Sequence, residues 1–137
     1  MVYLVRALVL LPICLVLVSL ATFYVLYGHQ SLVSTRRLHR ANPALLLAES
    51  RELMDCHRQA NTTTDAATGV NMDADTPEYA KLPDSIRRIA PVQVRVEDDR
   101  LVLTLGVWPR RYAIITRDIS EGVADAQKVD AGIWLTQ

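Results

Sequence analysis

Cys56 and His57 place a thiol beside an imidazole, which is the pairing that a cysteine nucleophile and its base require. Neighbouring residues on a helix point about 100° apart, so on a helix these two side chains would not face each other. An enzyme would then need a dispersed site, and the remaining candidates for it are Arg110 and Tyr112. We therefore predict no catalytic residues and a protein that is not an enzyme.

The acidic stretch around residue 73 partly resembles a calcium-binding loop. Asn71, Asp73 and Asp75 occupy its first, third and fifth positions, but Thr76 and Leu82 stand where glycine and glutamate are required. The three histidines also lack the spacing of a zinc site. The sequence therefore predicts an acidic solvated loop, no bound metal and no cofactor.

Arg110 and Arg111 lie between Trp108 and Tyr112, a grouping that can combine base stacking with phosphate contacts. The chain as a whole has 15 basic and 15 acidic residues and no net charge, which argues against nucleic-acid binding. We interpret the arginines as solvated residues at a strand end. Together with Trp108 they are candidates for contact with an acidic partner or with lipid headgroups.

These residues follow a long apolar segment. Residues 7–27, after a flank formed by residues 1–6, contain no charge and as a helix would extend about 31 Å, close to the thickness of a bilayer core. A cleaved signal peptide is the alternative, but its apolar part is shorter, about 7–15 residues, and ends at small residues. The bulky residues at 23–27 favour a retained transmembrane helix.

The charges that flank this segment bear on its orientation. Arg36, Arg37 and Arg40 follow it and only Arg6 precedes it, with no acidic residue among the first 42. The positive-inside rule therefore favours a cytoplasmic C-terminal part, by a small difference in charge. We predict a single-pass membrane protein and leave its orientation open.

Residues 28–60 are predicted to form a basic juxtamembrane segment and a stalk helix, with Asn42 as its cap and Pro43 as its first residue. Leu46 and Leu53 lie on an apolar stripe of this helix, and that stripe requires a cover. The cover is the chain's own C-terminal domain, a partner helix or a second copy, so both leucines are candidate partner contacts. Residues 61–78, rich in Thr, Asp and Ala, are predicted to be an acidic flexible linker.

Residues 79–137 carry the pattern of a small α+β domain. A short helix begins at Pro83 and ends before Pro91. Apolar and polar residues then alternate over 92–97 and 101–107, followed by apolar runs at 112–116 and 132–135. The predicted fold class is α+β, with the short helix packed on an antiparallel meander of three to four strands.

This part of the chain resembles a group of uncharacterised small bacterial proteins that are anchored in the membrane. The resemblance lies in LPDSIRRIAPVQVRVEDDRLVLTLG at residues 82–106 and in KVDAGIWL at residues 128–135. It departs at residues 107–110, where a segment rich in glycine and aromatic residues is expected. The resemblance implies a fold and a membrane-anchored location, and it supplies no activity.

These observations together predict a single-pass membrane-anchored protein that binds another protein or helps to assemble a complex. Its expected partners are the lipid bilayer and a protein, which includes a second copy of the chain. No nucleic acid and no small-molecule substrate is indicated. The alternatives are a membrane-tethered enzyme with a dispersed site and a protein that contacts lipid or the cell envelope.

Overall fold

The structure, a computed structural model, describes residues 2–61 and 69–136, with side chains described from residue 9 onward. Its helices are α1 (Val2–Phe23), a π-helical turn (Tyr24–Gly28), α2 (His29–Arg40), α3 (Pro43–Asn61), a 3₁₀ turn (Tyr79–Lys81) and α4 (Asp84–Ile89).

The N-terminal helix extends well beyond the apolar segment. The π-helical turn joins α1 to α2 with helical backbone angles at Gly28 and His29, so residues 2–40 form one continuous helix. The stretch Val9–Arg40 is long and apolar enough to cross a membrane, judged by length and composition. Its most apolar window has a mean hydropathy of 2.6, and none of that window is buried. This helix is a candidate membrane span.

A sharp corner separates α2 from α3. Ala41 is extended, and the Asn42 side chain accepts hydrogen bonds from the backbone N–H groups of Ala44 and Leu45 at 3.1 and 3.4 Å. Pro43 then begins α3. The cap predicted from Asn42-Pro43 is therefore confirmed.

The C-terminal part is one antiparallel sheet of six strands in the order β1-β2-β3-β4-β6-β5. Its strands are β1 (Val70–Asp73), β2 (Gln93–Val96), β3 (Arg100–Gly106), β4 (Arg111–Thr116), β5 (Gln127–Asp130) and β6 (Ile133–Thr136). The α+β class is confirmed. The expectation of three to four strands is wrong, because it missed β1 and β5, the two edge strands of the sheet.

Both unpredicted strands are short and largely exposed. β1 pairs with β2 through residues of the predicted linker, from Val70 to Asp73, so the interpretation of 61–78 as wholly flexible is wrong there. Residues 62–68 of that linker lie outside the described residues. Polar edge strands gain their stability from hydrogen bonds with a neighbouring strand, and no local apolar alternation announces them.

One face of the sheet and the three helices α2, α3 and α4 enclose the core. The helices supply Leu38, Leu46, Met54, Ile86 and Ile89, and the sheet supplies Val94, Val96, Leu101, Leu103, Leu105, Ala113, Ile115, Ile133 and Leu135. Because α3 packs against α4, β2 and β3, it is a core element of the domain and does not act as a stalk that projects from it.

Candidate functional site

The candidate site is the end of the domain nearest the apolar helix, where the β3–β4 turn (residues 107–110) meets the end of α1. The Phe23 ring lies 4.6 Å from the Tyr27 ring, centroid to centroid. On its other side it meets the Trp108 ring edge-on, at 6.1 Å and an interplanar angle of 64°. The turn also contains the cis peptide bond Trp108–Pro109. The domain therefore touches the candidate membrane span through an aromatic residue.

A close backbone approach positions this turn. β3 ends at Gly106, after an irregularity in its pairing with β4 between Thr104 and Gly106. A Cβ atom at Gly106 would lie 2.5 Å from Cβ of Ser31, so only glycine allows α2 to lie this near β3. The hydroxyl of Ser34, one turn further along α2, donates to the backbone carbonyl of Ala90 at 3.0 Å. Helix α2 is thereby held against both the sheet and the end of α4.

Two arginines follow the aromatic residue. Arg110 is exposed within the turn, and Arg111 begins β4 half-buried, paired with Gly106 across the ladder. Within the described part of the chain, the buried Nε of Arg111 and the hydroxyl of Ser31 have no hydrogen-bond partner. This end of the domain thus exposes an indole and a guanidinium beside the apolar helix, with two unpaired donors buried beneath them.

The five predicted partner contacts divide into two groups. Trp108, Arg110 and Arg111 lie together on the turn or at its edge, and Trp108 is 55% exposed. Leu46 is fully buried, and Leu53 is half-buried against the same core. Leu46 as a partner contact is therefore wrong, because the sheet of the same chain covers the apolar stripe of α3.

A second surface, the open face of the sheet, was not predicted. The residues that point away from the core form a row across adjacent strands: Val102, Ile114 and Trp134 in register, with Arg95 before and Lys128 after. The first three are half-buried, and Nζ of Lys128 lies 5.8 Å from the centre of the Trp134 ring. The apolar run at 112–116 gave no signal for this face, since both faces of β4 carry apolar residues.

The four residues of the dispersed enzyme site do not converge. Cys56 is exposed and His57 is buried, so the two side chains point to different environments. Nε2 of His57 lies 3.0 Å from the Asn61 amide nitrogen. His57 lines a groove at the Arg100 end of β3, whereas Arg110 and Tyr112 line a second groove at the Gly106 end of the same strand. The two ends are about 20 Å apart along the strand.

The acidic stretch at 71–75 has a structural role in the sheet. Over residues 2–61 and 69–136, no three His, Cys, Asp or Glu side chains are grouped so that they could hold a metal ion. The carboxylate of Asp73 instead accepts a hydrogen bond from the Gln93 amide at 2.7 Å. Asp73 thus ties β1 to β2.

A groove of about 470 Å³ opens between α2, α3 and α4. Its charged lining comprises Arg37, Arg40 and Arg88 together with Glu49 and Asp84. Two of these residues have partners on α4: the Glu49 carboxylate accepts hydrogen bonds from Ser85, and Asp84 pairs with Arg87. The lining therefore carries charges of both signs.

Among the described residues outside the apolar helix, three groups have a shifted pKa. Burial raises the pKa of the Tyr79 phenol, whose hydroxyl donates to the Pro91 carbonyl at 2.9 Å. The hydrogen bond from Arg100 to the Glu97 carboxylate raises the pKa of that guanidinium. Hydrogen bonds from Ser120 lower the pKa of Asp118. Each shift follows from a structural contact, and all three groups lie away from the β3–β4 turn.

The comparisons with known proteins supply no relative to set beside this geometry. No protein-family model matches the chain, and neither a curated protein nor a solved structure matches it.

Proposed function

We propose that this chain is a single-pass membrane protein whose α+β domain is mounted rigidly at the bilayer surface, where it binds another protein or helps to assemble a complex. The main observation that supports this proposal is the continuous helix over residues 2–40. Residues 9–27 of this helix are largely apolar and exposed on every side, and its last part, α2, buries Ser31, Ser34, Thr35 and Leu38 within the domain.

The role of α2 also bears on the signal-peptide alternative. A cleavage within α2 beyond Ser31 would remove part of the surface that packs against β3 and α4, and the domain would lose those contacts. Bulky, exposed side chains at Phe23, Tyr24, Val25 and Leu26 are poor residues for an earlier cleavage site. Both observations favour a helix that stays attached to the domain.

A rigid mount holds the open face of the sheet at a constant height and angle to the membrane. That face carries the row of Val102, Ile114 and Trp134, which alternates along each strand with the buried residues of the core and is half-buried. A partly apolar row that contains Trp134 and has Arg95 beside it suits a protein interface, since aromatic residues and arginine are enriched at such interfaces. The open face therefore replaces Leu46 as the candidate protein contact.

Site-specific photocrosslinking in membranes tests this function. A photoreactive residue at Ile114 is expected to give a discrete adduct, and the same residue at Leu45, exposed on α3, is expected to give none. An adduct of twice the mass of the chain identifies a second copy as the partner. Identical adducts from both positions, or none from Ile114, would contradict the proposal.

A further inference from the structure

The β3–β4 turn exposes two consecutive large apolar residues at one end of the domain. Val107 is 49% exposed and Trp108 is 55% exposed, and Pro109 and Arg110 beside them are exposed as well. A hydrophobic pair at the tip of a turn has no packing role within its own domain. Such a pair indicates contact with something outside it.

The position of the turn along the apolar helix identifies its surroundings. The Trp108 ring contacts Phe23, which precedes Tyr27 by one helical turn, about 6 Å. The indole is therefore level with the last turn of the apolar segment and does not lie beyond its end. The close approach of Gly106 to Ser31 keeps it there.

We propose that residues 107–110 form a second membrane contact, inserted into the interface of the leaflet from which the helix emerges. This inference rests on the proposed membrane span. Whatever surrounds Phe23 on the span also surrounds the ring that touches it, and the span is surrounded by lipid. Tryptophan is enriched at this depth, where its ring meets acyl chains and its N–H meets headgroups.

Arg110 completes the contact. It follows Trp108 by two positions, is exposed, and its cationic side chain suits the phosphate of a lipid headgroup. An aromatic ring in the interface and a guanidinium at the phosphates would fix the tilt of the domain, which one helix alone leaves free.

The two tryptophans of the chain provide a matched test. Trp134→Phe leaves Trp108 as the sole tryptophan, and Trp108→Phe leaves Trp134 on the open face of the sheet; in both variants the indole is excited selectively, at the red edge of its absorption, because the five tyrosines of the chain also fluoresce. Both full-length variants are reconstituted into phosphatidylcholine vesicles, and resistance to alkaline carbonate is measured on the same samples. Quenching is then recorded with lipids brominated near the headgroup, with lipids brominated near the chain end, and with aqueous iodide.

We expect lipid brominated near the headgroup to quench Trp108 about twofold or more strongly than Trp134, and lipid brominated near the chain end to quench both weakly. Quenching by aqueous iodide is expected to rank the two tryptophans in the opposite order. Trp108 is the more exposed of the two, so without a membrane contact iodide would quench it more, and with the contact iodide quenches it less than Trp134.

Three outcomes overturn the inference, and each has a different meaning. If the protein resists carbonate and bromolipid quenches Trp108 no more than Trp134, the membrane span is supported and the second membrane contact is contradicted. If bromolipid quenches Trp108 no more than Trp134 and dilution in lipid raises the iodide quenching of Trp108, a second copy, and not lipid, covers the turn. If carbonate extracts the protein from the vesicles, both the membrane span and the second membrane contact are contradicted.

Arg110→Gln tests the headgroup component. In vesicles that contain phosphatidylglycerol, the wild-type arginine is expected to make Trp108 quenching stronger at low salt than at high salt, and the glutamine variant is expected to lose this dependence. Arg88→Gln, an exposed arginine on α4, is the control and is expected to keep it. If Trp108 quenching in the Arg110→Gln variant keeps the salt dependence of the wild type, Arg110 is not part of the membrane contact.

Discussion

Helices α1 and α3 are similar in length, 22 and 19 residues, and both are rich in leucine, yet they occupy opposite environments. In α1 the described side chains are exposed on all sides, among them Leu15 and Val18 at 60% and 63%. In α3 the apolar residues Leu46 and Met54 are fully buried. A helix that is apolar and exposed all round is a candidate membrane span, whereas a helix with one apolar stripe is covered by its own domain.

Helix α2 joins these two environments. It continues the α1 axis, but it buries mainly small polar residues and Leu38. The comparison teaches that the domain is attached through a shared helix and not through a flexible tether. Changes in α1 should therefore affect membrane association alone, changes in α3 stability alone, and changes at the joint the coupling between them.

The largest effect is expected from charges in the middle of α1. Leu15→Arg combined with Val18→Arg raises the free energy of insertion by about 5–7 kcal/mol, because each arginine at a helix centre costs about 2.5–3.5 kcal/mol. We expect the protein to move from the carbonate-resistant fraction to the soluble or aggregated fraction. Leu15→Ile with Val18→Ile is the matched control, and retention of the arginine variant in the resistant fraction would contradict a membrane span.

The next largest effect is expected on the stability of the domain, from a change in the buried stripe of α3. Leu46→Ala is expected to lower the free energy of unfolding by about 2–5 kcal/mol, because it leaves a cavity beneath the sheet. Urea unfolding in mild detergent measures this loss, and carbonate resistance should not change. Leu45→Ala, at the neighbouring and 50% exposed position, should change stability by about 0.5 kcal/mol or less. Equal losses in the two variants would mean that the stripe of α3 is not buried.

A smaller effect is expected at the joint between α2 and β3. Gly106→Ala places a methyl group against Ser31 and should cost about 1–3 kcal/mol as the two elements move apart. The same urea titration measures it. Gly122→Ala, whose added Cβ has nothing within 4 Å, should leave stability unchanged. A stable Gly106→Ala variant would show that α2 does not pack directly on β3.

The smallest effect is a dependence of stability on pH, and it is expected in the loop after β4 that contacts α3. Arg117 pairs with Asp55 of α3, and the next residue, Asp118, accepts hydrogen bonds from the backbone N–H and hydroxyl of Ser120 at 2.9 and 2.7 Å. These bonds lower the pKa of Asp118. Its contribution to stability is therefore present at pH values above the pKa of the unfolded carboxyl, about 3.9, and is lost as pH falls through the lower pKa of the folded state.

Unfolding titrations of Asp118→Asn at several pH values check this sign. The variant should be slightly less stable than the wild type at neutral pH, and the difference should vanish in acid. Ser120→Ala removes the hydroxyl donor, keeps the backbone donor and is expected to give an intermediate difference. A difference that does not change with pH would exclude the carboxylate as its cause.

Much of this fold could be predicted because its signals are local. The uncharged run of α1, the cap formed by Asn42 and Pro43, and the alternation in β2 and β3 each depend on residues within one turn or one strand. Solvent preference and backbone propensity act at that range, so the sequence by itself determined these elements and their type.

Long-range contacts decided the rest. The edge strands β1 and β5, the burial of Leu46 beneath its own sheet and the approach of Gly106 to α2 all depend on residues far apart in the chain. The turn that carries Trp108 and Arg110 could be named from residue types, but its position beside Phe23 could not. Pairing and packing energies depend on which surfaces meet, and only the tertiary structure brings those surfaces together.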